Sequence, residues 1–324
     1  MTMVAMNSRP SRTRSALTAT AALCALLLAS CTSEAPPPAV DDVTVSGPYG
    51  SAPTLAYSQP LTIPKPRTEV VWEGEGPIAA EGDVVLLHLY GQNGEDGSQV
   101  VNTYGDLPQT FRVTTDELSA SMYEAVAGRP AGSRVLVVEE DAGTPVALVI
   151  DTLAGRASGT PVEVPEGLPV VTDGPDGAPE IAVPEGDAPT SISVQPIVRG
   201  EGTQVREGQT VIVQYTAITW SDGAVFDSTW APDRAPFTTI VGDSKPILAW
   251  DAALIEQTVG SRVLLVAPPD TAYGGSDTAW AEETVVFVID ILYAGTLAEP
   301  DDDGERASDE GESSPGSDQE EDQG

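Results

Sequence analysis

The chain has 324 residues, with 15 Lys and Arg against 50 Asp and Glu and a formal net charge of -35. That balance excludes a nucleic-acid partner, whose phosphates need clustered cations, and attachment to an anionic bilayer by charge alone. The length and the 40% hydrophobic content suit two packed cores with tails, and 2 Cys provide no disulfide framework.

In chain order, Arg9, Arg12 and Arg14 precede an apolar run from Ala16 to Leu28. The run is shorter than the ~20 apolar residues that span a bilayer, so residues 1–30 read as a signal peptide. It ends in Leu28-Ala29-Ser30-Cys31, which resembles the bacterial lipobox and implies lipidation of the Cys31 thiol with cleavage before it. The competing reading is an ordinary signal peptide cleaved elsewhere, with Cys31 incidental. Residues 31–50 are rich in Pro, Ser, Gly and Ala and are expected to form a disordered tether.

Two segments then run in parallel at an offset of about 126 residues. Ala52-Pro53, Gly74, Gly76, Gly82 and Asp96-Gly97 recur as Ala178-Pro179, Gly200, Gly202, Gly208 and Asp222-Gly223. After a small gap, Gly132-Ser133-Arg134-Val135-Leu136 returns as Gly260-Ser261-Arg262-Val263-Leu264. The first domain is expected over residues 51–155, a turn-rich linker over 156–176 and the second domain over 177–296. In the second copy, β-branched runs at 211–215, 263–266 and 284–292 predict strands. Between them Ile247, Trp250, Leu254 and Thr258 recur near a helical period, and Gly260 supplies a stop. The fold class is therefore α+β: in each copy an antiparallel sheet wraps over one short helix, because nothing else in the copy can cover it. Residues 297–324 are acidic and low in apolar content, which predicts a disordered tail. Glu299, Asp301, Asp303, Gly304 and Glu310 mimic a calcium loop in spacing, but Pro300 interrupts it and no helices flank it, so no metal site is expected.

The second copy carries Val213-Gln214-Tyr215-Thr216-Ala217, Asp222-Gly223-Ala224-Val225-Phe226-Asp227-Ser228, Pro236-Phe237, Pro246-Ile247-Leu248-Ala249-Trp250, Pro268-Pro269-Asp270-Thr271-Ala272-Tyr273-Gly274 and Thr284-Val285-Val286-Phe287. In this order and spacing they resemble the FKBP family of peptidyl-prolyl isomerases, from about Gly200 to Leu292. The resemblance implies an X-Pro isomerase that works without cofactor or covalent step, and a pocket open to macrolide inhibitors. It also implies roles: Trp250 as pocket floor, Tyr215, Phe226, Phe237 and Phe287 as walls, and the Tyr273 hydroxyl and Ile247 backbone N–H as donors to substrate carbonyls. Asp227, held by the Tyr215 hydroxyl, is then expected to face the twisting amide. Pro246 and Ala249 depart from the family's Val and Gly, and the 275–283 loop is short; Trp280 within it either caps the pocket or packs on the surface.

The first copy has Leu89, Val101 and Met122 where the second has Tyr215, Asp227 and Trp250, and Glu139-Glu140-Asp141-Ala142-Gly143 replaces the Tyr273 loop. It reads as a degenerate domain without activity. His88 aligns with Gln214, faces away from the pocket and is expected at the surface. Together these features predict a lipid-anchored, extracytoplasmic isomerase acting on exported proteins with X-Pro bonds. A chaperone or adaptor that binds proline segments with little turnover is the alternative, and a structural surface lipoprotein that kept the fold is a third.

Overall fold

The structure, a computed structural model, describes residues 42–296. The signal peptide, Cys31 and the acidic tail with its calcium-like spacing lie outside the described residues. The first copy comprises β1 (Thr44–Ser46), β2 (Thr54–Ala56), β3 (Arg67–Trp72), β4 (Val84–Asn93), β5 (Gln99–Asn102), β6 (Gln109–Arg112), helix α1 (Ala120–Val126), β7 (Arg134–Asp141) and β8 (Thr144–Ala154). The second comprises β9 (Gly159–Pro161), β10 (Val170–Asp173), β11 (Pro179–Ala182), β12 (Ser193–Gly200), β13 (Thr210–Thr219), β14 (Val225–Ser228), β15 (Phe237–Ile240), helix α2 (Ala249–Leu254), β16 (Arg262–Ala267) and β17 (Val285–Gly295).

Each copy builds one antiparallel sheet. The first runs β3-β7-β8-β4-β5 with β6 also on β4, and the second runs β14-β13-β17-β16-β12-β9 with β15 on β13. Alternation along β4 sends Val85, Leu87 and Leu89 into the core beside Ala125 and Val126 of α1. Along β13 it sends Val211, Val213 and Tyr215 into the core beside Trp250, Ala253 and Leu254 of α2. A helix of six or seven residues does not hold itself in water, so this packing is what stabilises it.

The other sheet faces are covered too, which is why all of β13 is buried. Part of each is covered by a hairpin. Val45 and Leu55 of β1–β2 pack on Leu136 and Val149, while Val171 and Ile181 of β10–β11 pack on Leu264 and Val288. The first strand of each hairpin, β1 or β10, falls where tether or linker is expected, and the second, β2 or β11, falls at the start of the expected domain. Three- and four-residue strands that bury one residue in two leave almost no periodic trace in a Pro/Gly-rich stretch. A buried arginine ties each hairpin turn to its sheet. Arg134 pairs with Asp151 at 2.5 Å and donates to the carbonyls of Gly47 and Ser51. Arg262 pairs with Asp290 at 2.5 Å, with Asp173, and with the Gly177 carbonyl.

The rest of the outer faces meet each other. Leu86, Leu107 and Leu153 of the first copy pack on Ile212, Leu292 and Tyr293 of the second. His88 is 5% exposed here, stacked on Tyr104 at 4.7 Å and edge-on to Tyr293 at 5.8 Å. It does point away from the core face of β4, but that face is an interface, so the expected surface histidine is buried. The α2 helix is also shorter than its periodicity suggests. Glu256 turns left-handed at φ 67°, and its N–H goes to the Val205 carbonyl, so Thr258 lies beyond the helix. The repeated glycines Gly74 and Gly200 are explained by close approach: a Cβ there would collide with the carbonyls of Ala131 and Val259.

Candidate active site

Seven aromatic rings of the second copy form one continuous cluster on the core side of its sheet. Trp250 has no exposed surface and stands edge-on to Tyr215 at 5.2 Å, Phe237 at 5.6 Å and Phe287 at 5.7 Å. Strand pairing places these walls: Phe237 lies opposite Val213, and Phe287 opposite Ala217. Half-buried Phe226 meets Phe287 at 6.1 Å, Tyr273 at 6.2 Å and Trp280 at 4.5 Å with the rings nearly parallel. Trp280 thus belongs to the cluster rather than to the bare surface, and it rests on a residue of the wall. Ile247 is 3% exposed and precedes α2; Ala249 at the helix start is buried, and Leu248 before it projects to solvent.

Beside the rings sits one carboxylate. Asp227 of β14 accepts a 2.5 Å hydrogen bond from the Tyr215 hydroxyl and a 3.1 Å contact from the Arg234 guanidinium. The strand backbone is locked alongside: the Tyr215 N–H donates to Thr229 Oγ1 at 2.9 Å, and the Thr229 N–H to the Tyr215 carbonyl at 3.0 Å. Burial, followed by the Asp227 hydrogen bond and charge, pushes the Tyr215 hydroxyl well above its ordinary range. Burial and the Asp227 charge raise Tyr273 in the same direction. Both phenols therefore stay protonated, and that of Tyr215 donates to Asp227. Among the described residues neither the Tyr273 hydroxyl nor the Ile247 N–H donates to another group.

The eight expected pocket residues are thereby brought to one place. Sequence reasoning missed Arg234; its one signal was a cation seven residues after Asp227, in a chain with 15 Lys and Arg. The first copy keeps the lock, with Leu89 and Thr103 making the same pair of backbone bonds at 2.9 and 3.0 Å. The side chains at the cluster's positions differ. Val101 occupies the place of Asp227, opposite Gly91, and Leu148 that of Phe287. The strand carrying Phe111 is shifted, so Gln109 stands opposite Leu87 where Phe237 stands opposite Val213.

Such a site sets buried aromatic rings beside two neutral phenols and one carboxylate. That suits a reaction that needs neither nucleophile nor base, the rotation of an X-Pro amide over its resonance barrier. The comparisons agree with this chemistry. A family model described as FKBP-type peptidyl-prolyl cis-trans isomerase matches residues 201–292. The probable FK506-binding protein of Corynebacterium glutamicum is 34% identical over 118 residues, covering 36% of this chain and 98% of its own. The peptidyl-prolyl cis-trans isomerase Fkbp12 of Drosophila melanogaster is 39% identical over 105 residues, covering 31% of this chain and 95% of its own. Among solved structures, the three FKBP domains of wheat FKBP73 align over 71% of this chain and 95% of theirs at 17% identity, with a TM-score of 0.29. With nearly the whole length of these two relatives matched, the chain belongs to the family of FKBP-type peptidyl-prolyl cis-trans isomerases.

Proposed function

We propose that the second copy isomerises X-Pro bonds in exported proteins, and that Cys31 anchors the chain by lipid at the extracytoplasmic face of a cell membrane. In this reading residues 51–155 are a degenerate FKBP-like unit, 177–296 the catalytic unit and 297–324 a solvated acidic tail, each unit a sheet wrapped over its helix. The prolyl ring enters the aromatic cluster, with Trp250 beneath it and Tyr215, Phe226, Phe237 and Phe287 around it. Tyr273 and the Ile247 N–H hold the flanking carbonyls, and Asp227 faces the amide as it loses planarity. The observation that carries the reading is the Tyr215–Asp227–Arg234 chain set against those rings. A fixed dipole array favours the twisted amide over the planar one, and each ~1.36 kcal/mol of that preference is a tenfold gain in rate. The relatives named for FK506 suggest the same cluster as the seat of that macrolide.

A protease-free isomerisation assay on X-Pro peptides tests the reading. The full chain accelerates the exchange and FK506 inhibits it. Asp227→Val combined with Tyr273→Phe removes at least about tenfold of kcat/KM with the circular dichroism unchanged. Binding of proline peptides without acceleration favours the chaperone reading instead. Cys31→Ser tests the anchor: the protein moves from the membrane fraction to the soluble one, and a variant that stays membrane-bound counts against lipidation.

A further inference from the structure

One link between the two copies runs close to the site through Arg112, at the end of β6 in the first copy. One nitrogen of its guanidinium is held weakly by its own copy, at the Gly82 carbonyl. The other donates across the boundary to the carbonyls of Ala231 and Arg234, at 3.1 and 3.0 Å. Those two carbonyls belong to one tight turn, closed by the Arg234 N–H on the Ala231 carbonyl at 3.0 Å. The same Arg234 carries the guanidinium that meets Asp227.

The turn is anchored at its start, where Thr229 exchanges two hydrogen bonds with Tyr215 and the Trp230 N–H donates to Ser228 Oγ at 3.2 Å. On its first-copy side it borders a cavity of about 610 Å³ lined by residues including Ile78, Arg112, Trp230 and Pro232. Side chains facing open space lend little packing support. The Arg234–Asp227 pair is also half in water, with side chains 50% and 36% exposed, and an exposed pair is weak and readily exchanged for solvent. Its geometry therefore depends on how well the backbone beneath Arg234 is fixed. A guanidinium nitrogen whose N–H groups are fixed in one plane and reach two carbonyls at once supplies that, and a freely rotating ammonium does not. The first copy is in turn fixed to the second by the Leu86–Ile212 cluster and by Gln214, which donates to the Gly155 carbonyl at 2.5 Å.

We infer that Arg112 is a positioning residue for the isomerase site, and that the degenerate copy serves as a clamp on the 229–235 turn of the active one. This rests on the site reading above, in which Asp227 faces the substrate amide. Arg112 touches no substrate; it keeps Arg234 on Asp227, which keeps that carboxylate aligned with Tyr215.

The test uses the full chain and its variants in the isomerisation assay. Arg112→Ala lowers kcat/KM by about three- to tenfold, mainly through kcat, and Arg112→Lys does not restore it. In an Arg234→Ala background the Arg112→Ala change has no further effect, because both act through one contact. The loss in Arg112→Ala also grows with added salt, and the Trp230 indole N–H resonance shifts; a merely structural role moves neither in this way. If Arg112→Ala unfolds, Arg112→Gln replaces it. The inference is overturned if the folded variant keeps kcat/KM within about twofold, or if its loss adds fully to that of Arg234→Ala. Asp227→Asn separates the two levels. Full activity in that variant removes the site reading and the clamp together, while an inactive Asp227→Asn beside an unaffected Arg112→Ala removes the clamp alone.

Discussion

The two copies share a sheet order, a buried arginine and a covering hairpin, yet differ at nearly every position that faces the pocket. Arg134 and Arg262 each take two oxygens of a strand aspartate and two acceptors of a hairpin turn. Against that constancy stand Leu89 for Tyr215, Val101 for Asp227, Met122 for Trp250, and a two-residue Ala142-Gly143 turn for the loop carrying Tyr273 and Trp280. The difference teaches that scaffold and site are separable here. Stability comes from the outer-face network and the core, so the residues at these positions can be replaced by apolar, non-aromatic ones without loss of the sheet.

The comparison breaks most sharply if the arginines are unequal. Removing either leaves a buried aspartate without its counter-charge, at a cost of about 3–5 kcal/mol. Arg134→Ala and Arg262→Ala should therefore each destabilise their own copy by that order, read by urea unfolding and by amide exchange resolved along the chain. The two sites differ in their extra partner. Arg134 lies 4.6 Å from the Trp72 ring, while Arg262 adds Asp173, whose side chain is 70% exposed. Asp173→Asn should accordingly cost no more than about 1 kcal/mol. A large loss there, with a small one for Arg262→Ala, would show that the hairpin and not the sheet is the anchor.

How much of this was legible in the sequence follows from what each feature depends on. Tyr215 and Phe287 lie on strands whose β-branched runs fix their parity, and Tyr273 lies in a loop of distinctive composition, so these were readable from the residues, whereas Phe226 and Phe237 were readable only through the family resemblance of their motifs. The hairpins were not, because Val45, Leu55, Val171 and Ile181 lie in runs of only three or four residues among turn formers. Arg234 and Arg112 were not, because their partners are a carboxylate and carbonyls reached only through the folded turn. His88 misled for a related reason: strand alternation gives the face a residue points to, but not what covers that face.

The pocket rim is the second place to sharpen the comparison. The first copy has no loop at this position, whereas in the second Trp280 stacks on Phe226 and Trp250 is fully covered. A prolyl ring reaching Trp250 must part that rim. An aromatic stack of this kind is worth about 0.5–1.5 kcal/mol, so Trp280→Ala should lower KM by about two- to tenfold for peptides with a bulky residue before proline. A rise in KM would instead make Trp280 a support for substrate rather than a cover.

The smallest effect expected lies where the copies meet. His88 and Gln214 hold equivalent positions on β4 and β13, and only the first titrates near neutral pH. Burial lowers the His88 pKa below its ordinary 6.5, against the opposing pull of Asp151 and the Thr103 contact. The folded state thus prefers the neutral ring, and the unfolded chain binds the proton more readily. Stability from this group is complete above pH 6.5, declines as the pH falls through the lowered folded value, and is level below it. The ring stacks on Tyr104 of its own copy and meets Tyr293 of the other, so a proton there loosens the junction on which the Arg112 clamp depends. His88→Gln copies the second copy's residue into the first. In that variant the pH dependence of unfolding below 6.5 should flatten, and acid loss of isomerase activity should flatten with it. An unchanged unfolding profile would place the acid sensitivity outside the junction, and a flattened unfolding profile with unchanged activity loss would show that the clamp does not pass through it.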